Sequence, residues 1–314
     1  MKRILMAICW AIITCLPSYA HAASTPIRVV ATFSILGDMA RQIGGDSAVI
    51  KTLVGPDGDA HTYKPTPHDS LALASADLVI VNGFGMEGWI DRLVSASGFK
   101  GRVVIVSEGV SPRQIDEEDG ADGSHGHHHG NIHGGKAIDP HAWQDISNAR
   151  IYARNIAAAL VKVRPSDSAT IMARAASYDA ELEALDRWVK AEIGSIAPQK
   201  RKIITSHDAF GYFGASYGVS FLSPQGLSTE VEPTATEAAK LIEQMKTEKI
   251  KRVFFESMAS PKLVKQLAKD AGASVGEPVY SDALSKESGP AATYVAMIRH
   301  NVTLFKAAMA LNGQ

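Results

Sequence analysis

One uninterrupted helical pattern divides this sequence. It opens at Pro165-Ser166-Asp167 and runs to about residue 196, with Ile171, Ala175, Tyr178, Leu182, Leu185, Trp188 and Val189 at helical spacing and charges between them. At 1.5 Å per residue such a helix is roughly 45 Å long. A helix of that length in a folded chain crosses from one body to another or packs along both. Strand and helix patterns alternate on either side of it, which implies sheets that are mostly parallel and covered on both faces. The expected fold is therefore α/β, with two lobes, each a mostly parallel sheet flanked by helices, joined by one long rigid backbone helix.

Before the helix, strands are expected at 27–34, 48–55, 77–83 and 103–107, with helices at 35–44, 69–74, 86–96 and 145–163. After it, strands are expected at 202–206, 219–222, 252–256 and 273–280. Helices fall between them at 209–216, 233–247 and 261–271, and a last helix follows Gly289-Pro290 to about residue 311. The domains expected are a leader at 1–22, an N-terminal lobe at 23–166, the linking helix at 167–196 and a C-terminal lobe at 197–314.

Residues 1–22 have the form of a secretory signal. Lys2 and Arg3 precede an apolar run at 4–16, and Pro17 leads to the small-residue site Ala20-His21-Ala22. The run is too short to span a bilayer as a helix. Cleavage after Ala22 and a periplasmic location are expected. A lipid anchor would need a small residue before a cysteine, and Thr14 precedes Cys15. Cys9 and Cys15 both lie in the leader, so the exported chain has no disulfide and no thiolate metal site. It must be held together by core burial, for which 46% hydrophobic residues are ample. Removing Lys2 and Arg3 leaves 30 basic against 33 acidic residues with no basic stripe, which argues against nucleic acid as a partner.

Residues 111–136 break the α/β pattern. They are rich in Gly, His and acids, with Asp116-Glu117-Glu118-Asp119 followed by His125, His127, His128, His129 and His133. So few apolar residues cannot offset the entropy of ordering, and a mobile surface loop is expected. Its histidines read either as a weak accessory metal site or as a solvated linker. Directly after it comes Asp139-Pro140-His141-Ala142-Trp143-Gln144-Asp145, a histidine between two carboxylates. An imidazole can give one ring nitrogen to a metal while a carboxylate holds the other N–H.

His61, His207 and Asp282 join His141 as candidates. Each follows the end of an expected strand, and in open α/β sheets ligands sit outside the carboxyl ends of the strands. Two would come from each lobe, which places a metal in the cleft. Three imidazoles and one carboxylate suit Zn²⁺. Singly, His61 also reads as a surface residue, His207 as a core histidine and Asp282 as a helix cap. His68 and His300 are assigned to helices and Trp143 to packing. Asp139, Asp145, Asp208 and Glu230 are the candidate carboxylates to hold the far ring nitrogens.

Four motifs lift these readings together: DAHTYKPTPHD around His61, DPHAWQD around His141, TSHDAFGYF around His207 and YSDAL around Asp282. In this order they resemble the metal-binding solute-binding proteins of zinc and manganese ABC transporters, the ZnuA-like group (cluster A-I type). The similarity runs from about Ile27 to the last helix. The resemblance implies His61, His141, His207 and Asp282 as ligands and no enzymatic activity. Manganese members carry a glutamate where His207 stands, so it implies Zn²⁺ as cargo. A histidine-rich loop before the second ligand also recurs in zinc members. Delivery to an ABC permease in the inner membrane is implied, with a periplasmic zinc metallochaperone as a further partner and the chain acting as a monomer. The competing readings are a manganese- or iron-binding member of the same family, a surface adhesin, or an exported zinc hydrolase. Against the hydrolase stand a closed four-ligand site and the absence of HExxH.

Overall fold

A computed structural model of the chain describes residues 25–116, 136–230 and 233–313. The expected leader at 1–22 and the loop histidines His125, His127, His128, His129 and His133 lie outside the described residues.

The first lobe is built on β1 (Ile27–Phe33), in which every residue except Arg28 is buried. Continuous burial demands a continuous apolar run rather than alternation, as in a parallel sheet covered on both faces. With β2 (Ala48–Val54), β3 (Leu78–Val81) and β4 (Arg102–Ile105) it forms an all-parallel sheet in the order β2-β1-β3-β4. Three helices connect these strands: α1 (Ser34–Gly44), α2 (Pro67–Ala74) and α3 (Ile90–Ser97). The start of α2 is fixed by a reciprocal cap between Thr66 and Asp69, with Pro67 in its first turn.

The ends of the 111–136 stretch are more ordered than expected. β5 (Gln114–Asp116) and β6 (Lys136–Ile138) pair antiparallel, and the Asp139 N–H donates to the Arg113 carbonyl at 2.9 Å, extending the ladder. α4 (Ile146–Val163) follows, capped by Asp145, which accepts from the Ser147 N–H.

The long helix is α5 (Ser168–Gly194), slightly inside the expected 167–196. Ile171, Ala175, Tyr178, Leu182, Leu185, Val189 and Ile193 form its buried stripe. Trp188 is only partly buried and carries the Arg299 guanidinium 4.8 Å above its ring.

Beyond α5, β7 (Lys202–Ile204) pairs in parallel with β8 (Ser220–Leu222), after α6 (Gly211–Tyr217). Then α7 (Ala235–Thr247), β9 (Arg252–Val253), α8 (Lys262–Ala271) and β10 (Ser274–Val275) follow, with β9 and β10 again parallel. The Phe254 N–H donates to the Ile204 carbonyl at 2.9 Å and joins the two pairs. The order β8-β7-β9-β10 repeats that of the first lobe. These ladders are shorter than the expected 252–256 and 273–280. Past Val253 the pairing continues as the bridge Glu256 to Val279, with the Val279 N–H donating to the Phe255 carbonyl and the Ser257 N–H to the Val279 carbonyl, both at 3.0 Å.

α9 (Tyr294–Leu311) returns to pack on α5, α1, β7 and β9. One apolar core runs from the first sheet through α5 and α9 to Phe210, Phe213 and Phe254, and a smaller one lies around Leu241, Met245 and Leu267. No helix among the described residues is long and apolar enough to cross a membrane.

Candidate metal centre

The chain reaches the centre by two similar turns in the first lobe. Asp59 and Asp139 each stand two residues before a histidine and accept its backbone N–H, His61 at 2.8 Å and His141 at 3.0 Å. An aspartate that folds back on the backbone two residues on makes a tight turn without a helix or strand. The peptide before His141 is also held from beneath. Asn82, just past β3, donates to the Pro140 carbonyl at 2.9 Å and accepts from the Tyr152 hydroxyl at 2.6 Å. Glu87 in turn accepts from the Asn82 N–H and the Thr32 hydroxyl. Burial outweighs these bonds and pushes the Glu87 carboxyl above its ordinary range.

In the second lobe, Glu256 accepts from the N–H groups of Ser206 and His207 at 2.8 and 3.0 Å and from the Ser281 hydroxyl at 2.9 Å. One carboxylate therefore ties the His207 turn to the Asp282 turn. Across the cleft, Trp143 Nε1 and Gln144 Nε2 both donate to the Ser281 carbonyl at 2.9 Å. Trp143 is thus packing, as expected, and also a link between lobes.

His61, His141, His207 and Asp282 converge, each offering one atom within 4.8 Å of the others. His61 Nε2 and His207 Nε2 lie 3.2 and 3.4 Å from His141 Nε2. Asp282 Oδ2 lies 3.3 Å from His61 Nε2 and 3.2 Å from His207 Nε2. A tetrahedral ion with bonds of about 2.0–2.1 Å has edges of about 3.3 Å between its ligand atoms. Four of the six spacings, those running round the ring His61–His141–His207–Asp282, already have that length, and Asp282 Oδ1 lies 3.6 Å from His141 Nε2. His141, His207 and Asp282 are fully buried, whereas the His61 side chain keeps 7% of its surface exposed. Both Asp282 oxygens are buried, and the groups facing Oδ2 are the imidazole Nε2 atoms, so a cation between them would suit all of these groups at once.

Two of the three far ring nitrogens face acids. His141 Nδ1 lies 2.9 Å from Asp139 Oδ1, and His207 Nδ1 lies against Glu256 Oε2. Each carboxylate can hold an Nδ1–H and so aim the Nε2 lone pair at the centre. Burial opposes charge on His207, but Glu256 and Asp282 outweigh it and raise the imidazole well above its ordinary range. Burial likewise opposes charge on Asp282, yet His141 and His207 hold its carboxyl well below the usual range.

Of the four carboxylates expected behind the rings, Asp139 is in place. Asp145 instead caps α4 and accepts from Ser216 at 2.7 Å, and Glu230 points outward, its own N–H bonded to Ser228. Asp208 makes no ring contact; burial foremost, then the charge of Asp139, raises its carboxyl. Glu256 was not among the expected residues. Its only sequence signal is an acid closing the apolar run Val253-Phe254-Phe255. His68 lies in α2 with its ring at Lys51, and His300 lies in α9 at the Pro278 carbonyl, both away from the centre.

Residues 29–308 match the family model described as zinc-uptake complex component A, periplasmic. The iron-binding protein YfeA of Yersinia pestis is 33% identical over 275 residues, 88% of this chain and 84% of that protein. The manganese-binding lipoprotein MntA of Halalkalibacterium halodurans is 30% identical over 279 residues, 89% and 87% of the two chains. Among solved structures, the periplasmic zinc-binding protein TroA from Treponema pallidum superposes with a TM-score of 0.81 at 29% identity, covering 91% of this chain and 99% of that one. A manganese-bound periplasmic metal-binding protein (a Ser→Ala mutant) from Candidatus Liberibacter asiaticus superposes with a TM-score of 0.78 at 29% identity, covering 90% and 99%.

Proposed function

Because this chain belongs to the periplasmic zinc-uptake component A family of metal-binding, ABC-transporter solute-binding proteins, we propose that it captures Zn²⁺ with His61, His141, His207 and Asp282 and delivers it to a membrane permease. The family and its structural neighbours are transport proteins, not enzymes, which removes the hydrolase alternative. The observation that carries the reading is the convergence of three Nε2 atoms and one carboxylate in a buried cleft, with neighbouring ligand atoms 3.2–3.4 Å apart.

Zinc is favoured by donor chemistry. Imidazole nitrogens suit later first-row ions, and the Irving–Williams order places zinc above manganese and iron(II). A second reading, iron or manganese as cargo, is supported by the relatives named for those metals and by the free second oxygen of Asp282, which could raise the coordination number. In the proposed cycle the chain is exported by residues 1–22, acts in the periplasm as a monomer, and hands its ion to the permease, with a metallochaperone as a possible supplier. The lobes divide at 23–166 and 197–314 around the helix. Their continuous core favours a small movement on release rather than wide closure.

The test is competition among Zn²⁺, Mn²⁺ and Fe²⁺ against a chelator buffer on metal-stripped protein, with stoichiometry read by native mass spectrometry. One tightly held zinc, lost in His207→Ala, is expected. Preference for manganese or iron would establish the second reading, and tight zinc that survives His207→Ala would refute the ligand set.

A further inference from the structure

Among the described residues, Arg113 is the one basic side chain that bonds an acid behind the ligands. Its Nη1 lies 3.0 Å from Asp139 Oδ2, while Asp139 Oδ1 faces His141 Nδ1. Asp139 is fully buried and the Arg113 side chain is 35% exposed. The arginine is held in place by its backbone as well: its N–H donates to the Tyr212 hydroxyl at 2.8 Å, and its carbonyl accepts from the Asp139 N–H at 2.9 Å. The second lobe leaves room for the guanidinium. A Cβ on Gly211 would come within 2.2 Å of Arg113 Nη1 and 2.7 Å of Asp139 Oδ2, so glycine is the residue that lets the pair sit against the start of α6.

We propose that Arg113 sets how firmly the centre holds its ion, weakening the grip by drawing on the carboxylate that His141 leans against. The inference rests on the metal-binding reading above. A carboxylate shared between a ring N–H and a guanidinium pulls less on the ring than one facing the ring alone, so His141 donates less strongly to the metal. Charge acts in the same direction, because a guanidinium behind the centre repels an entering divalent ion. A delivery protein must let go, and a cation behind one ligand lowers the cost of release without occupying the cleft.

The sign of the effect separates this role from simple bracing. If Arg113 only pinned Asp139 in place, its loss would loosen the site. If it tempers the site, a neutral replacement tightens it. The experiment measures Zn²⁺ affinity by chelator competition, and dissociation by stopped-flow transfer to excess chelator, on the full chain and on Arg113→Gln, Arg113→Met and Arg113→Lys. Loss of the repulsion between a guanidinium and a divalent ion in a partly solvated setting is expected to tighten binding about fivefold to tenfold in both neutral variants, carried by slower dissociation. Arg113→Lys should stay within about twofold of the parent, since it keeps the charge. Weaker or unchanged binding in the neutral variants overturns the proposal, as does equal tightening by Arg113→Lys. His141→Ala serves as the control: if it keeps tight zinc, the metal-site reading itself fails, whereas if it loses zinc and the neutral variants do not tighten, only the role of Arg113 fails.

Discussion

Glu256 holds His207 twice, accepting from its backbone N–H with Oε1 at 3.0 Å and facing its ring Nδ1 with Oε2. The same carboxylate reaches Ser281, next to Asp282. Two of the four candidate ligands therefore depend on one residue that touches no ion. Glu256→Gln is expected to lower Zn²⁺ affinity by about 10-fold to 100-fold, the usual cost of losing such a partner. Chelator competition checks it, and affinity unchanged within twofold would show that His207 needs no carboxylate behind it.

The pH dependence follows from the same pair. With His207 raised well above its ordinary value of about 6.5 by Glu256 and Asp282, the pH range over which an entering ion must expel its proton moves upward. Affinity should therefore keep rising with pH beyond the range of an ordinary imidazole, with proton release on binding. Calorimetry in buffers of different ionisation enthalpy reads that proton directly.

The metal-free fold should show the opposite trend. A raised histidine stabilises the folded state fully below its unfolded pKa of about 6.5 and loses that contribution as pH rises through the higher folded value. The depressed Asp282 contributes above about pH 3.8 and loses its share only as pH falls through its lower folded value. Thermal melts of the stripped protein should therefore fall on the alkaline side, and the loss should vanish in His207→Ala.

Exchanging His207 for glutamate, the residue of manganese members, is expected to fail alone. It would set a second buried carboxylate against Glu256, and two like charges at that range cannot both ionise cheaply. His207→Glu with Glu256→Gln should bind, and its preference for Zn²⁺ over Mn²⁺ should drop by at least about tenfold as an imidazole gives way to an oxygen donor. Competition between the two ions decides it.

The hairpin stem gives a clean deletion. Because Gln114–Asp116 pairs with Lys136–Ile138, residues 117–135 can be replaced by Asn-Gly, the turn that antiparallel strands favour. The tight site should keep its affinity within about twofold, and weak additional metal binding should disappear if the loop histidines supply it. Native mass spectrometry counts both.

That the four candidate ligands converge was legible from their placement beyond strands together with four motifs in family order, since strand-end position alone left each with an ordinary alternative. Asp139 was legible for the same reason, two residues from its histidine. Glu256 was not, since its partner lies far away in sequence and nothing local separates a buried acid at a strand end from an exposed one. Asp145 and Glu230 show the converse: nearness to a ligand along the chain said little about which way the carboxylate turns. The two sheets could be read from apolar runs, but the shortness of β9 and β10 could not, because the apolar run continues past the point where regular pairing gives way to a single bridge. The β5–β6 stem was hidden by the polar composition of the stretch it closes.

α9 reaches back to both halves of the centre. Its Tyr294 hydroxyl donates to the Trp143 carbonyl at 2.6 Å, and its Asn301 grips the Tyr280 backbone through both amide atoms. One helix thus acts as a clasp on both sides of the cleft, behind Trp143 on one and behind Tyr280 on the other. A disturbance of that helix should be felt at both sides together, which makes the two halves of the ion trap a single mechanical unit.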